Sequence, residues 1–326
     1  MKFKNNLFKF LILLLFIIPI NILAYSKYII ASGKTIGIEV NSKGILVVGF
    51  YEINNKYIAK EAGFEIGDLI VKINNKEVNN IDSMINIINE NSNKVNFTIN
   101  RNNKEHNITL NLVEDDSAVL KTGLYVKDKI NGIGTLTYID PNSKIFGALG
   151  HEILEQTTAK KFEIRDGKIF SADVSNITKS RSGDAGEKNA NYDTNKVDGK
   201  IKDNDITGIY GTYTENIKDL DLIEVGNNNE IKTGKALIKT VIKDNKVEDF
   251  NINIIGIDKN SNTKNILFEI TDKKLLEKTG GVIQGMSGSP IIQNNKIIGA
   301  VNYVIVNDTS KGYGIFITTM LKEGEK

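Results

Sequence analysis

The sequence predicts a mainly β protein of two domains behind an N-terminal targeting segment. Its 326 residues exceed the usual length of a single domain. Short runs rich in Ile, Val, Tyr and Thr recur between Gly and Asn turns, whereas apolar residues at helical spacing are clear at 81–88. With 40% hydrophobic and 25% charged residues, the chain can bury ordinary cores.

Residues 1–26 have the composition of an export signal. Lysines at positions 2, 4 and 9 precede an apolar run from Phe10 to Ile20, and no further charge occurs before Lys27. This run of about eleven residues suits a signal peptide better than a span of about 20 residues. Leu23-Ala24-Tyr25 is not a clean cleavage site, so a cleaved signal and an uncleaved anchor both stay open.

Composition excludes several kinds of chemistry. The chain has no cysteine, which removes disulfides, thiolate metal sites and a cysteine nucleophile. It has two histidines, in very different contexts, so we expect neither a metal site nor a cofactor. The net charge of +2 includes the leader lysines, and no concentrated basic face suggests a nucleic-acid partner.

Residues 33–113 are predicted to form the first folded domain. Two β-rich runs, Ile36–Val40 and Gly44–Val48, are followed by a short helix that ends at Gly63. The helix at 81–88 begins near Asn80 or Asp82, each of which is a plausible cap. Two last strands with period-2 alternation lie at Val95–Ile99 and Asn107–Leu112.

Residues 118–326 are predicted to form a second domain, a β-sandwich or barrel, after a linker near 114–117. The polar, Gly- and Asn-rich stretch 180–200 is expected to be a long exposed loop. The predicted strands of this domain lie at Gly134–Tyr138, Ile164–Ile169, Ile206–Tyr210, Ala236–Val241, Asn251–Ile257, Ile266–Ile270 and Ile297–Val306.

The candidate nucleophile is Ser287, in the hexamer Gly-Met-Ser-Gly-Ser-Pro at 285–290. A nucleophilic serine needs a turn that exposes its hydroxyl and aims backbone N–H groups at the developing oxyanion, and flanking glycines allow such a turn. The hexamer resembles the nucleophile turn of chymotrypsin-type proteases, which implies that the N–H groups of Gly285 and Ser287 form the oxyanion hole. Ser289 would then be a turn or pocket residue. The competing interpretation of the hexamer is an ordinary hairpin.

His151 is the candidate general base. It follows an apolar strand and the small residues Gly147 to Gly150, so its ring can project into a cleft. His106 lies in a charged turn of the first domain and is expected to be solvated. A histidine before the serine is the chain order of chymotrypsin-type enzymes, opposite to that of α/β-hydrolases.

A carboxylate is needed to orient the histidine. Asp272 lies fifteen residues before the candidate nucleophile and is the preferred candidate. Spacing alone does not rank it above Asp258, Asp221 or Glu155, so the choice depends on the family resemblance described below.

The first domain resembles the PDZ domains of bacterial exported proteases, on the order of its elements and on AGFEIGDLIVKINNKEV at 62–78. Such domains bind an extended peptide by adding it to a sheet edge beside a helix. The resemblance implies a groove lined by one strand segment and one helix; its predicted peptide-binding residues are Gly44, Ile45, Leu46, Val47, Met84 and Ile88.

The whole arrangement resembles the SpoIVB peptidase family of endospore-forming bacteria. The motifs that carry this resemblance are GIGTLTYIDP at 132–141, FGALGH at 146–151, ITDKKLLEKTGGVIQGMSGSPI at 270–291 and GYGIFI at 312–317. It implies a PDZ domain followed by a chymotrypsin-like double β-barrel. It also implies the catalytic triad His151, Asp272 and Ser287.

The same resemblance implies a role in sporulation. Such peptidases are exported into the space between the two membranes around the forespore, cut themselves, and cleave a membrane-bound inhibitory partner of an intramembrane protease. That cut leads to activation of a late sigma factor. Two departures are Glu155, where the family often has Asp, and Ala185, where Pro is expected. The alternatives are a catalytically inactive PDZ scaffold and an envelope quality-control protease, although the latter usually carries PDZ after the protease domain.

Overall fold

A computed structural model describes residues 25–90, 93–114 and 119–326. Nearly all of the predicted leader, and most of the predicted linker at 114–117, lie outside the described residues. Among the described residues, no helix is both long and apolar enough to cross a membrane.

The described residues are mainly β, with four short helices. The helices are α1 (Ile58–Glu61), α2 (Ile81–Asn89), α3 (Lys273–Thr279) and α4 (Ile317–Gly324). The strands are β1 (Tyr28–Ala31), β2 (Thr35–Phe50), β3 (Leu69–Ile73), β4 (Lys76–Glu77), β5 (Lys94–Arg101), β6 (Lys104–Asn111), β7 (Val113–Glu114), β8 (Leu120–Lys121), β9 (Leu124–Ile139), β10 (Ile145–Ala148), β11 (Ile164–Thr178), β12 (Glu187–Asp205), β13 (Gly208–Tyr213), β14 (Ile223–Val225), β15 (Gly234–Val241), β16 (Val247–Ile257), β17 (Ile266–Ile270), β18 (Pro290–Gln293), β19 (Lys296–Val304) and β20 (Lys311–Phe316).

Twelve of these strands close into two antiparallel barrels of six strands each. In the first barrel the order is β2, β9, β10, β13, β12 and β11, which pairs again with β2. In the second it is β15, β16, β17, β20, β19 and β18, which pairs again with β15. Each barrel encloses its own apolar core. The predicted double β-barrel is therefore present.

A third apolar cluster joins the barrels. It contains Tyr138 and Tyr210 from the first barrel, Ile297 and Ile315 from the second, and Met320 from helix α4. The short strands β1 and β14 reinforce the junction, because β1 pairs with β9 and β14, while β14 pairs with β19. A cleft between two barrels held in this way has fixed walls.

The PDZ domain is built into the first barrel. Residues 35–41 of β2 pair with both β9 and β11 inside the barrel, whereas residues 45–50 of the same strand belong to the PDZ sheet with β3 and the start of β9. The PDZ core packs helices α1 and α2 against β3, β5 and β6. The chain therefore enters the PDZ domain along one barrel strand and returns along its neighbour, so residues 35–41, assigned to the first domain from the sequence, form part of the barrel.

Several local predictions are confirmed, and one is wrong. Helix α2 begins after Asn80, whose side chain accepts a hydrogen bond from the Ser83 N–H at 2.8 Å, as expected of an N-cap. Strand β5 contains the predicted run Val95–Ile99, and β6 contains all of the predicted run Asn107–Leu112 except its last residue. The stretch 180–200, predicted as an exposed loop, instead enters the 19-residue strand β12, which pairs with β11 and β13. Pairing with β11 satisfies much of the backbone of residues 187–197, so the polar side chains of this segment can remain in solvent.

Candidate active site

Ser287 and His151 lie on opposite walls of the cleft between the barrels. Ser287 lies three residues before β18 of the second barrel, and His151 lies three residues after β10 of the first. Both side chains line one cavity of about 370 Å³. Apolar side chains form much of the rest of its wall: Ile38, Ile130, Ile133, Leu149, Ile153, Leu154 and Tyr303.

The serine turn has the backbone conformation that its glycines permit. Gly285 and Gly288 have φ values of +89° and +94°, which side chains other than hydrogen rarely allow. A Cβ on Gly288 would overlap the Thr135 carbonyl oxygen and lie 2.6 Å from the Leu149 nitrogen. Only glycine therefore lets the turn approach the first barrel closely enough to face His151.

Strand β9 of the first barrel holds the serine turn by hydrogen bonds. The Thr135 hydroxyl donates to the Gly285 carbonyl at 2.7 Å, and the Thr137 hydroxyl donates to the Gly288 carbonyl at 2.8 Å. The Thr135 N–H also donates to the Ser287 carbonyl at 2.9 Å. Three bonds from one strand fix three carbonyls of the turn, so the two barrels position the nucleophile together.

The two backbone N–H groups predicted to form the oxyanion hole are free to donate a hydrogen bond. Within the described residues, the N–H groups of Gly285 and Ser287 donate to no protein acceptor. The neighbouring amides do have partners: Met286 N–H donates to Ile283, and Gly288 N–H to Val301. Free N–H groups beside a serine hydroxyl are what stabilisation of a developing oxyanion requires.

His151 is held in the tautomer that a general base needs. Its Nδ1 lies 2.8 Å from the Glu152 carbonyl oxygen, which can only accept, so Nδ1 carries the hydrogen and Nε2 keeps its lone pair. The ring also stacks on Tyr303, with centroids 5.5 Å apart. Burial lowers the pKa of His151 below its ordinary value, and the Glu152 carbonyl and carboxylate partly oppose that shift. The imidazole is therefore neutral at pH 7.

The Ser287 hydroxyl does not bond to the imidazole in this conformation. It donates instead to the Asn302 carbonyl of β19, at 3.3 Å. Catalytic hydrogen bonds are often absent or long without substrate. Nucleophile and base therefore lie in the same cavity without a hydrogen bond between them.

Asp272 is not brought to His151 within the described part of the chain. Its carboxylate caps helix α3, accepting from the Leu275 N–H at 3.1 Å, and it also accepts from the Asn251 N–H at 3.3 Å. It does not line the cavity of Ser287. Its assignment as the orienting acid stays a prediction from the family resemblance.

The rival carboxylates are engaged elsewhere too. Glu155 is buried and accepts from Lys127 Nζ at 2.8 Å and from the Thr158 N–H; these bonds outweigh the effect of burial and lower its pKa to about 2. Asp258 accepts from the backbone of its own loop, at Asn260. Asp221 is exposed and does not line the cavity.

Substitution of Asp272 separates its two candidate roles. Asp272→Ala removes the helix cap and should lower the free energy of unfolding by about 1 kcal/mol, whereas Asp272→Asn keeps a capping oxygen and should lose far less. Denaturant unfolding measures this difference, and equal losses would contradict the cap. Activity of the Asn variant then tests the acid role: a fall of about 10⁴-fold at unchanged stability would assign the carboxylate to His151, and unchanged activity would exclude it.

The strand segment predicted to line the peptide groove of the PDZ domain has no open edge. Ile45 and Leu46 pair with β3, while Leu46 and Val47 pair with β9, so the segment Gly44–Val47 offers no open edge. Met84 and Ile88 are buried in the PDZ core. The correction has a topological cause: the returning strand β9 occupies the edge that the sequence pattern left open.

The open edge beside helix α2 belongs to β9. Residues 124–133 of β9 pair on one side with β2, and no second partner strand is present in the described residues. The Asp128 carboxylate in this segment accepts from the Ile81 N–H at the start of α2, at 2.8 Å. Farther along the same strand, Ile130 and Ile133 line the cavity of Ser287. One strand thus connects the PDZ groove with the active site.

Sequence reasoning missed several residues of the site. Thr135 and Thr137 lie in a motif noted for the family resemblance, but their hydrogen bonds cross between barrels and leave no local signal. Glu152 directly follows the base in the chain. One of its carboxylate oxygens is buried without a hydrogen-bond partner in the described residues, and so is the side-chain oxygen of Asn302. Among the described residues no cluster of three potential metal ligands occurs.

The fold and the site define a class: a double-barrel serine peptidase with a PDZ domain inserted in its first barrel. Comparison with known families agrees. The model of the SpoIVB peptidase S55 family matches residues 118–321, and the PDZ domain model matches residues 35–112. The chain belongs to the SpoIVB peptidase S55 family and is a serine peptidase.

Solved structures show more distant likenesses. The Rv3671c protease from M. tuberculosis, in its active form, is 15% identical, with a TM-score of 0.31 over 58% of this chain and 70% of that chain. Human heparin binding protein is 8% identical, with a TM-score of 0.27 over 55% of this chain and 72% of its own. No curated protein matches the chain.

Proposed function

We propose that this chain is an exported serine endopeptidase of spore formation, in which Ser287 is the nucleophile and His151 the general base. The observation that carries the chemical part is the shared cavity, which brings a glycine-framed serine and a neutral histidine of the correct tautomer together from two barrels. The biological part is supported by membership of the SpoIVB family and by the composition of residues 1–26.

The reaction follows from the positions of these groups. The Ser287 hydroxyl turns from Asn302 toward Nε2 of His151, which takes its proton as Oγ attacks the scissile carbonyl. The oxyanion that forms accepts from the N–H groups of Gly285 and Ser287. Collapse expels the leaving amine, which receives the proton from His151 and leaves an acyl-enzyme. Water, deprotonated by the same imidazole, then releases the acid and restores the serine.

The proposed substrates are the chain itself and a membrane-bound inhibitory partner of an intramembrane protease. The site of action is the space between forespore and mother cell, where that cleavage leads to late sigma-factor activation. An extended peptide that adds to the open edge of β9 beside α2 would be held on the strand that supports the serine turn. The PDZ domain would in this way present substrate to the site.

Self-cleavage tests the proposal directly. The full chain is expressed, purified and incubated with or without a serine-reactive fluorophosphonate, and the products are sized by mass spectrometry. We expect trimming that the inhibitor prevents, followed by cutting of the candidate membrane partner in the untreated sample. If neither the chain nor the partner is cut, the proposal is overturned in favour of a catalytically inactive scaffold. Cleavage that the inhibitor leaves unchanged would exclude a serine mechanism.

A further inference from the structure

A buried lysine lies behind the serine turn. Lys188 lies at the second position of β12, and its side chain is 4% exposed. No carboxylate in the described residues forms an ion pair with it. An unpaired buried ammonium is costly to keep, and buried charges in proteins normally have a charged partner. A buried lysine without a carboxylate partner at this position therefore needs a functional explanation.

The amine of Lys188 joins the two barrels through hydroxyl groups. Its Nζ lies 2.9 Å from the Thr240 hydroxyl of the second barrel and 3.4 Å from the Thr35 hydroxyl of the first. The Ser289 hydroxyl, two residues after the nucleophile, donates to the same Thr240 oxygen at 3.0 Å. These hydroxyl-bearing residues are all buried. The cluster thus connects the amine to the chain segment that carries Ser287.

The stem of Lys188 lies directly against Gly285. A Cβ placed on Gly285 would be 3.1 Å from the Lys188 Cβ and 3.2 Å from its Cγ and Cδ. The backbone is joined as well, because the Lys188 N–H donates to the Gln284 carbonyl at 2.9 Å. Gly285 supplies one of the two N–H groups of the proposed oxyanion hole. The Lys188 side chain therefore packs against the residue that supplies this N–H group.

We propose that Lys188 is a positioning residue for the oxyanion hole, whose stem fixes the Gly285 amide and whose amine, when protonated, favours the negative charge that develops at the reacting carbonyl. The inference rests on the proposed function of Ser287. A fixed positive charge in a water-excluded interior acts on a nearby anion more strongly than it would in water.

The charge of Lys188 changes near neutral pH. Burial lowers its pKa to about 7. The amine contacts the hydroxyls of Thr35 and Thr240, and the Ser289 hydroxyl contacts only Thr240. The charged residues Lys34, Glu187 and Lys239 lie next in sequence to members of the cluster. Neighbouring side chains of a strand point to opposite faces, and Lys239 pairs with Asp249 at 3.1 Å. The shift therefore comes from burial and not from a charged neighbour.

The titrations of His151 and Lys188 should change the activity in opposite directions. His151 must be neutral to act as base, and its pKa is lowered, so activity rises with pH at values below the ordinary range of a histidine. Lys188 must be protonated to favour the oxyanion, so activity falls as the pH rises through about 7. The rate of reaction at Ser287 should therefore have a maximum near neutral pH.

The test is the pH profile of fluorophosphonate labelling of Ser287, measured on the full chain from pH 5 to 9. Lys188→Met should lower the rate about tenfold to a hundredfold at pH 6 and abolish the fall above pH 7. The control is Lys202→Met, an exposed lysine on the same strand, which should keep the wild-type profile. A Lys188→Met profile with the same fall above pH 7 overturns the inference.

A second variant covers the case in which Lys188→Met fails to fold. Thr240→Val retains the lysine but removes one hydroxyl that accepts a hydrogen bond from its amine. Because the protonated amine is then less stable, the fall in rate should move to lower pH. An unchanged midpoint in this variant overturns the inference. Absence of labelling in the wild type would overturn the proposed function and with it this inference. If the wild type is labelled and the variants have the same pH profile as the wild type, only the role of Lys188 is overturned.

Stability gives an independent readout of the same lysine. Its pKa is about 7 in the folded chain and near the ordinary 10.5 when unfolded, so between these values the unfolded state binds more protons and stability rises with pH. Lys188→Met removes this contribution, and its unfolding midpoint should exceed that of the wild type most clearly below pH 7. Equal pH slopes for the two proteins would show that the amine is not buried in solution.

Discussion

Ser287→Ala is expected to abolish self-cleavage and fluorophosphonate labelling while leaving the fold intact. The variant loses the only atom that forms the acyl-enzyme, so the rate should fall by about 10⁵ to 10⁶-fold, as when a serine nucleophile is removed from other peptidases. The Ser287 hydroxyl makes one long hydrogen bond, to Asn302, so its removal should change the free energy of unfolding by less than about 1 kcal/mol. Labelling kinetics and denaturant unfolding measure the two effects.

The control for this prediction is Ser171→Ala, an exposed serine on strand β11 of the first barrel. It should keep the wild-type rate. Retention of more than about a hundredth of the activity in Ser287→Ala would place the nucleophile elsewhere. His151→Gln serves as a second check, because a neutral side chain that cannot accept the serine proton should lose nearly as much activity.

Gly288→Ala is expected to separate the serine turn from the first barrel and to destabilise the protein. The methyl group would overlap the Thr135 carbonyl oxygen, and the residue would keep a φ of +94°, which alanine rarely adopts. Strain of this kind and overpacking together should lower the free energy of unfolding by about 2–5 kcal/mol. Because the turn must shift to relieve the overlap, activity should be lost even where the chain remains folded.

The matched control is Gly256→Ala in strand β16. A methyl group there would meet Leu267 at ordinary contact distances of 3.4–3.5 Å, without a positive φ. Its stability should remain within about 1 kcal/mol of the wild type. Thermal unfolding and labelling of Ser287 are measured on both variants. Normal activity in Gly288→Ala would show that the close approach of the barrels is not needed to align the serine.

Strand β9 gives the molecule a direct connection between its two domains. Its first residues pair with β2 in the PDZ sheet, and its last residues close the first barrel and hold the serine turn through Thr135 and Thr137. A peptide that added to the open edge beside α2 would contact the strand that also lines the cavity of Ser287. This geometry offers a physical route by which ligand binding in the PDZ domain could alter the turn.

The sequence determined the features that depend on neighbouring residues. The glycines at 285 and 288 predict the serine turn because only glycine adopts their conformation freely, and both have positive φ in the structure. Apolar spacing and the Asn80 cap predict helix α2 because both act within one or two turns. Cysteine and histidine counts limited the catalytic chemistry without reference to any fold.

Tertiary structure alone decided the features that depend on distant pairing. Whether Gly44–Val47 has an open edge depends on β9, about 80 residues away. Residues 187–200 form a strand because β11, and β13 at the end of this segment, pair with its backbone. Lys188 becomes buried, and the Asp272 carboxylate accepts from the Asn251 N–H, through contacts that cross between elements. Local sequence carries no record of such contacts, because the partner that satisfies a backbone or surrounds a charge is chosen by the closure of the barrels.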